Sequence, residues 1–168
     1  MTKQCVVNVL HTDFRSGTSM AAADALYQPK IVRSLLDLPS QQFRSWRNQL
    51  TPLRRQGSRE RNFTFPELLG LAVVKHLNSD LGMRIGVIAR VAPALFGICA
   101  ATSVPALRGR LLMVRPQEGT AELAPTDRTP KVISAAAVLS FDAVIEPLLQ
   151  RLLEASDAQL PLPLQVEA

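Results

Sequence analysis

LLDLPSQQFRSW, Leu35–Trp46, decides how the chain is read. Leu35, Leu36 and Leu38 continue an apolar spacing that begins at Ile31 and Val32, which predicts a first helix opening at Pro29, a residue suited to a first turn. DLPS interrupts it. Asp37 tolerates a left-handed turn, and Ser40 is a good N-cap for a second helix. That second helix places Phe43, Trp46 and Leu50 on one face. Its other face carries Gln41, Gln42, Arg44, Ser45, Arg47 and Asn48. One stripe is apolar, and the other is hydrogen-bonding and cationic.

The charge around this helix is local. Of 168 residues, 19 are Lys or Arg and 14 Asp or Glu, a net charge of +5. Six of the 15 arginines (Arg44, Arg47, Arg54, Arg55, Arg59 and Arg61) fall between Phe43 and Phe65, with Glu60 as the only acid there. Outside that window positive and negative residues are equal in number, so the whole excess sits in one stretch. A concentrated basic patch points to a polyanionic partner more strongly than a high isoelectric point does.

Downstream, TPLRRQGSRERNF contains Pro52 and Gly57 and too few apolar residues for a helix, so an arginine-bearing hairpin or loop is expected. Thr64 and Glu67 form a capping-box signature with Pro66 in the first turn. The helix they open carries Leu68, Leu69, Val73, Leu77 and Leu81 inward and stops at Gly82. A fourth helix, from about Met83, directs Ile85, Ile88, Val91 and Leu95 inward and bends or ends near Pro93. Beyond Thr102, RLLMVRP, QEG and TAELAP read as strand, turn and strand. KVISAAAVLSF reads as a third strand, with helix as its competitor, and Ile145 to Ala155 as a helix.

Two helices joined by a tight turn, with Gln, Arg, Ser and Asn facing outward on the second, suit a helix-turn-helix. Arginine pairs with guanine, Gln and Asn with adenine, and the basic loop would serve as a wing. LLDLPSQQFRSW followed by RNFTFPELLGL (Arg61–Leu71) resembles the winged helix-turn-helix of MerR-type bacterial regulators. Phe43, Arg44 and Trp46 fill the second-helix pattern, and Arg61 and Phe63 fill the end of the wing, with Phe in place of Tyr. Glu67, Leu68 and Leu71 match the helix that follows, and LNSDLGMRIGVIA resembles the start of the dimerisation arm. The likeness spans Tyr27 to Leu95. It implies that Arg44 and Arg47 contact DNA from the recognition helix, that Arg54, Arg55, Arg59 and Arg61 serve the wing, and that Trp46 with Phe63 ties the two together. The chain departs from the family at Asp37 and Pro39 in the turn, in lacking the long coiled-coil helix, and in lacking the metal-binding cysteines.

The expected architecture is therefore mainly α: an N-terminal extension over 1–26, a MerR-like winged helix-turn-helix over 27–100, a small α/β element over 103–157 (β-hairpin, strand, helix) and a loose tail over 158–168. The expected function is sequence-specific double-stranded DNA binding in transcriptional regulation, as a homodimer formed through the C-terminal element. An architectural DNA-binding protein of a mobile element, or an interaction module such as an antitoxin or adaptor, is the rival reading. Cys5 and Cys99 lie far from each other and from any histidine at ligand spacing, so no metal is expected. No nucleophile-base arrangement or phosphate loop suggests an enzyme or a cofactor, and Glu67 is explained by capping. No secretory signal opens the chain, and VAPALFGICAATSVPAL (Val91–Leu107) is too short and too broken by proline for a membrane span. A cytoplasmic, nucleoid-associated location follows as an expectation. Met20 is an alternative start.

Overall fold

The computed structural model describes residues 26–54, 62–126 and 136–157. The expected extension up to 25, the wing arginines Arg55, Arg59 and Arg61, and the tail from 158 lie outside the described residues. The chain is mainly helical, with two small antiparallel sheets.

Strand β1 (Leu26–Tyr27) leads into helix α1 (Pro29–Leu35), a short turn and helix α2 (Ser40–Gln49). Asp37 is the one non-glycine described residue with positive φ, at 49°. It completes a Schellman-type end to α1: the Asp37 amide donates to the Ser34 carbonyl at 3.2 Å and the Leu38 amide to the Arg33 carbonyl at 2.9 Å. Helix α2 begins one residue earlier than the Ser40 cap predicts. Pro39 holds the cap position, and its carbonyl accepts the Phe43 amide at 3.0 Å.

A 3-10 turn at Thr51–Leu53 closes this section, and β2 (Phe63–Thr64) pairs with β1, Tyr27 facing Phe63. Helix α3 (Phe65–Ser79) opens with the expected capping box, the Thr64 amide donating to Glu67 Oε2 at 3.0 Å. Leu68 through Val74 are buried without a break, so α3 is covered all round and forms the centre of the core. Leu81, expected inward, is instead 47 % exposed, because α3 ends at Ser79 before that residue's turn is reached.

Helix α4 (Ile85–Ala101) lies along α3 and runs through Pro93 instead of ending there. Pro93 is exposed, so the carbonyl its missing N–H leaves unpartnered sits toward the solvent side of the helix. Gly70 permits the close approach of the two helices. A Cβ at that position would stand 2.8 Å from the Phe96 ring.

After the short helix α5 (Val104–Leu107) come β3 (Arg110–Arg115), β4 (Thr120–Pro125) and β5 (Ala137–Ser140), as the alternation predicts. They form one antiparallel sheet in the order β4-β3-β5. Leu112 and Val114 point from β3 into the core, and β4 lies on α4. The last helix, α6 (Phe141–Asp157), continues through Pro147 and packs on α3, α1 and the sheet. Asp142 and Glu146 share a face of α6 and fasten the corner before β3. The Gly109 amide donates to the Asp142 carboxylate at 3.0 Å, and Arg108 pairs with Glu146 at 3.0 Å. A single apolar cluster runs from Val32 on α1 to Leu148 on α6, so the C-terminal element shares its core with the N-terminal helices. Among the described residues no helix is long and apolar enough to cross a membrane.

Candidate nucleic-acid interface

The apolar stripe of α2 is buried as its spacing requires: Phe43 is 4 % exposed, Trp46 2 % and Leu50 not at all. Phe43 meets Phe63 of β2 with ring centroids 5.6 Å apart and planes tilted by 58°. This aromatic contact ties α2 to β2. The ring that meets Phe63 is that of Phe43, where Trp46 was the expected partner.

With that stripe fixed inward, the opposite row is set by the helical repeat. Gln41, Arg44, Ser45 and Asn48, at i, i+3, i+4 and i+7, lie on the outer side. Gln41, Arg44 and Asn48 are exposed and Ser45 is half-buried. Arg47 is half-buried at the margin of this row. The Ser45 hydroxyl accepts a hydrogen bond from Gln49 Nε2 at 2.7 Å and still has donor capacity.

Two residues from the expected set are used inside the molecule. Gln42 Nε2 donates to Asn78 Oδ1 at 3.5 Å, and Asn78 Nδ2 donates to the Met83 carbonyl at 2.8 Å. This chain of amides lies between α2 and the α3–α4 connection, so Gln42 braces the helix rather than facing outward. Arg54 Nε donates to the Asn48 carbonyl at 2.6 Å, closing the end of α2 while its side chain stays exposed. Thr64, beside this face in sequence, is taken up by the capping box of α3.

No acidic residue occurs between Ser40 and Arg54, and neither Arg44 nor Arg47 forms an ion pair with any described residue. Among the described residues no acid offsets their charge. Arg84, exposed and at the N-cap of α4, follows Met83, whose carbonyl ends this amide chain. Tyr27, paired with Phe63 across the small sheet, has its hydroxyl pKa raised by burial. His76 contacts Asp80 one turn on at 2.6 Å. Among the described residues no group of three potential metal ligands comes together.

No family model, curated protein or solved structure matches the chain.

Proposed function

We propose that the protein is a sequence-specific double-stranded DNA-binding transcriptional regulator built on a winged helix-turn-helix. The observation that carries this reading is the outer row of α2. Gln41, Arg44, Ser45 and Asn48 stand in line on a helix locked from behind by Phe43, Trp46 and Leu50, with uncompensated arginines beside them. A rigid helix with bidentate donors and acceptors along one side suits the edges of base pairs in a major groove. In this reading Arg44 reads a base, Arg47 and Arg54 hold phosphates, and Arg55, Arg59 and Arg61, which follow in sequence, extend the phosphate contacts along the backbone.

The protein acts as a homodimer in this proposal, with the three-stranded sheet and α6 as its joining element. Among the described residues β4 and β5 are both edge strands, and Val138 and Leu153 are large apolar side chains exposed on this half of the molecule. Light scattering of the full chain, with Val138→Glu as the weakened variant, measures that assembly.

Selection from a pool of random duplexes, followed by anisotropy titration of the enriched site across a salt series, tests the DNA reading. Five phosphate contacts predict that log K falls against log salt with a slope of about −4.5. Arg44→Ala is expected to lose about 1–3 kcal/mol of discrimination at one base pair. A pool that shows no enriched sequence would sink the regulator reading.

A further inference from the structure

We propose that Arg151, on the C-terminal helix, is a positioning residue for the DNA-facing helix α2. The functional half of this inference rests on the DNA-binding reading above. The structural half stands on the end of α1. A helix terminus leaves its final carbonyls without intrahelical partners. In α1 the Val32, Arg33 and Ser34 carbonyls are met by the Leu36, Leu38 and Asp37 amides, at 3.0, 2.9 and 3.2 Å. The next carbonyl, Leu35, accepts a hydrogen bond from Arg151 Nη1 at 2.8 Å.

That contact reaches across 116 residues and joins α6 to the turn that aims α2. It is charge-assisted, and a cation at a helix C-terminus also lies at the favourable end of the helix dipole. The facing surfaces are continuous: Ser34, Leu35, Asp37, Arg151, Glu154 and Ala155 line one open groove between the turn and α6. The turn is short and contains Asp37 in a left-handed conformation, so its geometry depends on its hydrogen bonds more than on intrinsic preference. Arg151 thus carries the placement of the C-terminal element into the angle between α1 and α2. Displacing α6 would alter the presentation of Gln41, Arg44 and Asn48 without any contact to them.

The test uses the full chain with Arg151→Met, which keeps the aliphatic length, Arg151→Lys, which keeps one charged donor, and Arg108→Met. The last breaks the Arg108–Glu146 pair elsewhere on α6 and serves as control. Amide hydrogen exchange at Leu36, Asp37 and Leu38 is measured first, then affinity for the selected duplex. Arg151→Met is expected to accelerate exchange at these three amides about tenfold and to weaken duplex binding about tenfold. Arg151→Lys is expected to restore most of both, and Arg108→Met to change neither locally. Unchanged exchange in Arg151→Met overturns the proposal. Faster exchange with undiminished duplex affinity overturns the positioning role and leaves a purely structural contact. Should the unaltered chain bind no duplex, the DNA reading falls separately, and the exchange result still decides whether Arg151 governs the turn.

Discussion

Phe43 on α2 and Phe63 on β2 meet ring to ring, 5.6 Å between centroids, and so join the two ends of the basic segment. Both are almost fully buried, which makes the pair a clamp between α2 and β2, the described elements on either side of residues 55–61. Phe63→Ala is expected to cost about 3–5 kcal/mol in urea unfolding, the usual range for emptying a buried aromatic site. A double-mutant cycle with Phe43→Ala should return a coupling of about 0.5–1.5 kcal/mol. Strict additivity of the two substitutions would show that the rings do not act as a pair.

Gly70 tests the packing of α3 on α4. Glycine normally weakens a helix interior relative to alanine by about 0.5–1 kcal/mol, so Gly70→Ala would stabilise an open site. Here the added carbon meets the Phe96 ring at 2.8 Å inside the core. The steric term is expected to win, with a net loss of about 1–3 kcal/mol by thermal or urea unfolding. A rise in Tm would mean that Phe96 yields freely.

Asp37 offers the opposite case. Its φ of 49° places a side chain where glycine is preferred, on an exposed turn. Asp37→Gly is expected to raise stability by up to about 1 kcal/mol, since the left-handed penalty outweighs the flexibility added to the unfolded chain. Calorimetry decides the sign, and a fall in Tm would assign Asp37 a side-chain interaction that outweighs its strain.

Cys99 makes stability depend on alkaline pH. Burial raises its thiol from 9.0 to about 12. The folded state keeps the proton while the unfolded chain releases it, so the thiol's contribution is full below about pH 9 and is lost progressively as pH rises towards 12. Urea midpoints from pH 8 to 11 are expected to fall more steeply in the unaltered chain than in Cys99→Ala. Parallel slopes would contradict the assignment. Tyr27, also raised by burial, acts in the same direction and remains in both proteins.

Local chemistry made much of the architecture readable before any coordinates. The Thr64–Glu67 box, the inward row of α2, the left-handed tolerance of Asp37 and the hairpin after Arg110 each depend on neighbours within a few residues, and each appears where its pattern places it. The prolines misled in one direction. By local rules Pro93 predicts a bend or stop, yet α4 continues to Ala101 because its apolar face is held against α3 and tertiary packing outweighs the single missing hydrogen bond. The site was readable as a row of side-chain types, but its division of labour was not. Gln42 and Ser45 look equivalent in sequence, and only the distant Asn78 turns one of them inward. Arg151 carried no local signal, since it acquires its place from a contact 116 residues away.

The Leu35–Arg151 hydrogen bond also bears on the order of events during synthesis. Residues of α1 and α2 leave the ribosome first, with their own turn chemistry in place but with the Leu35 carbonyl unmatched. Its donor is translated 116 residues later. The amino-terminal half therefore reaches its finished geometry only after α6 has emerged and docked, and a nascent chain paused before residue 151 presents α2 on an unsecured mount.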